Sequence, residues 1–154
     1  MGEVRFYHLT ESPLEATLPV MLERSLDRGW RALVRGTDPD RIEALSDRLW
    51  TWRDDSFLPH GTAADGEAGR QPVWLCCDGG NPNGAKALFL IDDAGAEPGE
   101  LSGMEVAAVL FDGHDAQAVA RARDRWRQIT EAGLKAVYWA QDERGGWVKR
   151  HESG

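Results

Sequence analysis

The chain is poor in cysteine, in long apolar runs and in positive charge, and each shortage closes a class of function. Its only two cysteines, Cys76 and Cys77, are adjacent. In a strand they point to opposite faces and cannot form an ordinary disulfide, so they read as small buried residues of a reduced cytoplasm. No segment approaches the roughly 20 apolar residues that span a bilayer, and Met1-Gly2-Glu3-Val4-Arg5 has no long apolar run of a secretory signal. A cytoplasmic protein with no membrane role is expected. The net charge of −8 argues against a body that itself binds nucleic acid or lipid, because both want a basic field. Nucleic acid is expected to be met only weakly or through another protein. What is present is enough apolar material, 42% of 154 residues, for one domain to bury a core without disulfides or metal. We place that domain at residues 1–150, with a tail at 151–154.

Strand and helix patterns alternate. Val4-Arg5-Phe6-Tyr7-His8-Leu9 is short and aromatic, bounded by Thr10 and Ser12, and reads as a first strand. Ser12-Pro13-Leu14-Glu15 supplies an N-cap, a Pro at the first helical position and a Glu at the third, which predicts a capping box. The helix that follows turns Leu14, Leu18, Met21, Leu22 and Leu26 inward and ends at Gly29. Pro19 should kink it or move its start downstream. Ala32-Leu33-Val34 is a second strand core. Thr37-Asp38-Pro39 then caps a helix with Ile42, Leu45 and Leu49 on its apolar face, and that helix carries Trp50 at its C-terminal end. Gly61 to Arg70 reads as a surface loop without a packing signal. Strands follow at 72–76 and 85–91, joined by a hairpin-like turn over Asp78-Gly79-Gly80-Asn81-Pro82-Asn83-Gly84. A loop covers Asp92 to Gly103, and Val106 to Phe111 is apolar throughout, as a strand buried on both faces must be. A helix from Ala116 to Ala132 closes at Gly133. Ala136-Val137-Tyr138-Trp139 and a short stretch around Trp147 complete the set. The pattern predicts a single-domain, three-layer α/β/α fold: an open, mostly parallel (mixed) sheet with helices on both faces, Rossmann-like but without a phosphate-binding loop.

The chemistry-bearing residues are few. The first strand-to-helix turn, His8 to Pro13, has no glycine, and Glu11 repels a phosphate placed there. Gly84-Ala85-Lys86 runs into a strand rather than opening a helix, so no P-loop is present. No cofactor is expected. The histidines are scattered and no Cys/His pair has zinc spacing, which excludes a metal site. Asp54, Asp55 and His60, with Ser56 nearby, form the one enzyme-like grouping, since a carboxylate can orient an imidazole base. A small hydrolase or nuclease built on them is the alternative reading; as loop caps and a packed histidine they do no chemistry. The third long helix holds Arg121, Arg123, Arg125 and Arg127. At about 100° per residue, Arg121 and Arg125 share one face and Arg123 and Arg127 another. One guanidinium beside apolar ground can grip a carboxylate; otherwise these charges form a solvated face. Trp126, Trp139 and Trp147 read as packing between sheet and helices. Leu49-Trp50-Thr51-Trp52-Arg53-Asp54-Asp55-Ser56-Phe57-Leu58-Pro59-His60 is different, because its rings fall where the chain leaves regular structure. An aromatic cluster beside a Pro-fixed loop is suited to docking a protein.

Three motifs in order carry a resemblance. They are Val4-Arg5-Phe6-Tyr7-His8-Leu9, the central Leu49 to His60 segment, and Ala122-Arg123-Asp124-Arg125-Trp126 with Ala132-Gly133. The ending Tyr138 to Trp147 adds a fourth. Together they resemble the chi subunit of bacterial DNA polymerase III, from about Val4 to Lys149. The resemblance implies a non-catalytic accessory subunit of the holoenzyme. It bridges the psi subunit of the clamp loader to the acidic C-terminal tail of single-stranded DNA-binding protein, and in some members a helicase takes the psi-facing surface. Carried over by position, Trp50, Trp52, Phe57, Leu58, Pro59 and His60 resemble the psi-docking surface. Arg123 resembles the receiver of the tail's terminal carboxylate, with Arg127 assisting. Val119 departs from the pattern, standing where some members place a basic residue, so the charge of the pocket leans on Arg121, Arg127 or Lys135. Val119 could instead line the apolar hollow that such a tail needs.

Overall fold

Continuous apolar runs become the interior strands of one sheet. The structure, a computed structural model, describes residues 2–51 and 58–153. Ala32–Arg35 (β2), Ala87–Leu90 (β4) and Val106–Asp112 (β5) are buried along nearly all their length, because helices cover them on both faces. With Glu3–Leu9 (β1), Val73–Cys76 (β3), Ala136–Gln141 (β6) and Trp147–Glu152 (β7) they form seven strands in the order β3-β2-β4-β5-β1-β6-β7. All neighbours run parallel except β7, which returns antiparallel along β6.

The helices divide between the faces according to their apolar stripes. Leu14–Asp27 (α1) and Pro39–Thr51 (α2) bury Leu18, Leu22, Ile42, Leu45 and Leu49 against Val34, Leu75, Phe89 and Leu110. Pro98–Ser102 (α3) and Ala116–Glu131 (α4) bury Leu101, Ala122 and Ile129 against Phe6, Leu33, Leu88 and Val109. Each leucine hidden this way contributes roughly 2 kcal/mol through apolar area removed from water. The three-layer α/β/α arrangement with a mixed sheet is thus the one the alternating pattern predicts. Cys76 and Cys77 do go to opposite faces, one in each apolar cluster, and burial pushes both thiols up from their ordinary pKa.

Several local expectations need correction. No capping box starts α1: the residue ahead of it is Pro13, and no side chain caps the helix. Ser12 Oγ instead accepts from Gln141 Nε2. The helix runs through Pro19, which is buried, so one missing N–H is tolerated within otherwise intact backbone bonding. Strands β3 and β4 do not form a hairpin; both flank β2 and run parallel to it. A parallel pair needs a crossover, since a tight turn can only reverse direction. The segment between them is pinned by buried Asn83, whose Nδ2 donates to Ala32 O and Gln71 O, each at 3.0 Å. The loop from Gly61 is not purely surface either: Thr62 is fully buried and its hydroxyl donates to Glu43 Oε1 at 2.8 Å. Asp92 to Gly103 contains α3. Finally, β7 runs to Glu152 and Ser153 N donates to Ala136 O, so the boundary expected after residue 150 falls inside a strand.

Candidate partner-binding surfaces

Neighbouring strands β1 and β5 send the chain to opposite faces of the sheet, to α1 and α4 respectively. The crevice at their carboxyl ends is where open α/β sheets bind nucleotides. Here it measures about 580 Å³, and protein oxygens already occupy its anion positions. The backbone N–H groups of Thr10, Glu11 and Ser12 all donate to Gln141 Oε1, at 3.0, 2.9 and 3.2 Å. This is the turn where a phosphate otherwise sits. At the start of α4 the Asp115 carboxylate takes the amides of Gln117 and Ala118. Every guanidinium lining the crevice is paired: Arg41 with Glu15 at 2.7 Å and Asp92 at 3.2 Å, Arg121 with Asp93 at 2.9 Å, and Arg125 with the same Asp93 at 3.7 Å. Among the described residues no group of three or more His, Cys, Asp or Glu could hold a metal ion.

The opposite side of α4 differs. Val119 and Trp126 are half-buried and pack into the cluster under this helix, with Tyr138 beside them. Trp126 lies 5.3 Å from Phe6, 6.1 Å from Tyr138 and 5.4 Å from His151, ring centre to ring centre. Below them His8 Nδ1 stands 2.6 Å from the Tyr138 hydroxyl. Burial holds His8 below its ordinary pKa and pushes Tyr138 above its own, with the nearby charge of Arg123 lowering both. Only a glycine at 113 permits this arrangement, because a Cβ there would collide with the His8 ring. Arg123 is exposed above this apolar ground, and among the described residues no carboxylate pairs with it. The other cations expected to serve here are engaged: Arg121 with Asp93, Arg127 with Asp124, and Lys135 with Glu152 at 2.9 Å. Arg123 alone of the four lacks a counter-ion within the described chain.

At the end of α2, Trp50 is 46% exposed and its ring lies over His60, centroids 3.9 Å apart. Leu58 and His60 are buried; His60 backs the Trp50 ring and Leu58 packs into the core, so neither offers surface of its own. Pro59 is half-buried. His60 Nδ1 faces Leu58 O at 2.6 Å and Nε2 faces Ser46 O at 3.0 Å. The ring is buried with both nitrogens facing backbone carbonyls, so neither is open to a substrate as the hydrolase reading requires. Trp52, Asp54, Asp55 and Phe57 lie outside the described residues.

Sequence comparison now adds to this geometry. The family model of the DNA polymerase III chi subunit, HolC, matches residues 1–137. The chain belongs to the DNA polymerase III chi subunit family. It is 31% identical to the DNA polymerase III subunit chi of Pseudomonas aeruginosa over 148 residues, 94% of this chain and 97% of that protein. It is 26% identical to the probable DNA polymerase III subunit chi of Rickettsia prowazekii over 91 residues, covering 59% of this chain and 55% of that one. Chi is an accessory subunit of the polymerase and not itself catalytic, which agrees with a His60 held by carbonyls. Two residues that shape this chi-family chain escaped sequence reasoning. Gln141 carries no local signal of its role, and only the tertiary approach of β6 to β1 brings it to the amides of Thr10, Glu11 and Ser12. Arg35 did leave a signal, a charge ending the apolar run Ala32-Leu33-Val34: it is 4% exposed and paired with Glu100 at 2.7 Å.

Proposed function

We propose that this chain bridges two protein partners during DNA replication. The Arg123 ledge receives the acidic C-terminal tail of single-stranded DNA-binding protein, and the Trp50 shelf docks a psi-like subunit of the clamp loader or, in its place, a helicase. The observation that carries the reading is a guanidinium without a counter-ion in the described chain, standing over Val119, Trp126 and Tyr138. A peptide ending in an apolar side chain and a free carboxylate needs a cation beside an apolar hollow, and guanidinium binds carboxylate through two parallel hydrogen bonds. Val119 in place of a base suits the apolar part of that requirement. The Trp50 ring, half in solvent and backed by buried His60, is the kind of rigid aromatic anchor that dominates protein interfaces. The bridge works in the cytoplasm, where Cys76 and Cys77 stay as thiols.

Fluorescence anisotropy with a labelled acidic peptide ending in Pro-Phe tests the ledge. Arg123→Ala and amidation of the peptide's carboxyl should each weaken binding about tenfold or more, about 1.4 kcal/mol, and binding should fall as salt rises. Binding indifferent to both changes would remove Arg123 from the role.

A further inference from the structure

We infer that the hollow between α1 and the β1–β6–β7 side of the sheet binds single-stranded nucleic acid, with its indoles stacking a base and Arg24 and Arg28 holding the flanking phosphates. The hollow lies on the sheet face opposite the Arg123 ledge and encloses about 250 Å³, room for a base and its sugar rather than for a folded partner.

Its chemistry runs against that of the chain. The protein carries a net charge of −8, yet among the described residues no carboxylate lines this hollow, while Arg5, Arg24 and Arg28 all do. Arg24, in the last turn of α1, and Arg28, at its C-cap, stand four residues apart, both exposed, and among the described residues neither pairs with a carboxylate. Arg5 is the exception, tied to Glu3 at 3.0 Å. The walls supply flat aromatic rings. Trp30, Trp139 and Trp147 are all half-buried, so packing, the role expected of Trp139 and Trp147, leaves part of each indole open. Cations already sit over two of them: Arg28 is 5.2 Å from the Trp30 ring centre and Lys149 is 5.6 Å from that of Trp139.

Aromatic platforms with interleaved arginines are how sequence-tolerant single-strand binders work, because every base has a π-face and every nucleotide a phosphate. An acidic peptide fits less well. Its apolar side chains want an aliphatic socket beside one cation, as at Val119 and Arg123, whereas this hollow presents rings and a pair of cations at helical spacing. A charge-driven local contact is also compatible with an acidic body, since the phosphates meet only the cations within a Debye length of about 8–10 Å.

The test uses a labelled oligothymidylate of about 15 nucleotides and the intact chain at low salt. The native protein should bind it, with quenching of tryptophan emission. Arg24→Glu combined with Arg28→Glu should weaken binding at least tenfold and flatten the salt slope by about 1–2. Both positions are exposed, so the fold is retained, which circular dichroism checks. Trp139→Leu should weaken binding several-fold without changing that slope. Arg123→Glu, half that charge change and on the other face, should leave binding within twofold. Absence of binding by the native chain overturns the inference, and so does an equal loss in Arg123→Glu, which means a diffuse field. It is also overturned if the Pro-Phe peptide displaces the oligonucleotide and loses its own binding in the Arg24/Arg28 variant, because the hollow then takes peptide. The tail assignment stands or falls separately, on Arg123→Ala.

Discussion

Helix α4 separates two regions that use the same residue type in opposite ways. On the crevice side, Arg121 and Arg125 both turn to Asp93, at 2.9 and 3.7 Å, and backbone amides that could hold an anion are taken by Gln141 and Asp115. On the ledge side, two residues along, Arg123 meets no carboxylate of the described chain and stands over half-buried rings. In the first region charge is neutralised internally and the result is structure. In the second it is left open, and on the proposed reading it meets another molecule's negative charge. An open α/β sheet thus has the crevice its topology offers filled by its own groups, while the cation on the other flank of α4 is left to the proposed partner. The division implies that internal pairs govern stability and not binding, and that the open cations do the reverse.

The sharpest test of the first half is Arg35, the most deeply buried guanidinium among the described residues. Its Nη2 is 2.7 Å from Glu100 Oε2 and 3.1 Å from Gly80 O, and its Nη1 is 3.2 Å from Gly95 O. Glu100→Ala leaves a buried cation without its ion partner. The expected loss is about 2–3 kcal/mol in urea unfolding, at or just below the bottom of the usual range of about 3–5 for breaking a buried pair, because the Glu100 side chain is 29% exposed and water can partly replace it. Binding of the acidic peptide should not change. The Arg35 hydrogen bond holds the Glu100 carboxyl below its ordinary pKa, so the folded state binds its proton less readily than the unfolded one. The stability this gives is complete above about pH 4.5 and disappears as pH falls through the lower folded value. The variant should lack that component of acid sensitivity.

A second, smaller effect is expected at Gln141. One side-chain oxygen satisfies three consecutive amides, so Gln141→Ala leaves those donors to whatever water reaches the turn, at a cost of about 2 kcal/mol. Glu11, Asp112 and Asp115 still ring the crevice, and inorganic phosphate should therefore bind the variant no better than the native chain, as followed by its phosphorus resonance. Phosphate binding by the variant would mean that Gln141 alone, and not the carboxylates, closes the site.

How much of this could be read in advance follows physical lines. Apolar runs and helical spacing are local, and they located the seven strands and three long helices to within a few residues. The two arginine faces of α4 also followed from 100° per residue. Which face is neutralised did not, because Asp93 lies in a loop about 30 residues earlier and reaches α4 only through the order of strands β4 and β5. The hairpin expected at Asp78 to Gly84 failed for the same reason: a turn sequence reports a change of direction, not which strand lies beyond it. Gln141 and Arg35 act through contacts more than 60 residues away in sequence, where composition carries no information. An aromatic cluster at the end of α2 was legible, but not that the Trp50 ring points outward, nor that Leu58 and His60 are buried.

The weakest expected effect joins the two regions through His8, which lies under the ledge. Its Nδ1 meets the Tyr138 hydroxyl at 2.6 Å, and burial lowers its pKa, with the neighbouring charge of Arg123 adding to the effect. A histidine disfavoured as a cation in the folded state binds its proton more readily when unfolded. Its contribution to stability is thus complete above its ordinary value of about 6.5 and is lost as pH falls from there through the lower folded value. Carbon-13 NMR titration of the ring should place its midpoint below 6.5. In Arg123→Gln the midpoint should rise, since one of the charges opposing protonation is gone, while burial remains and keeps it short of the ordinary value. A midpoint that does not move on removing Arg123 would mean that the guanidinium points away from the His8–Tyr138 pair into open solvent, and the contrast between a neutralised face and a poised one would then lose its footing on the ledge side.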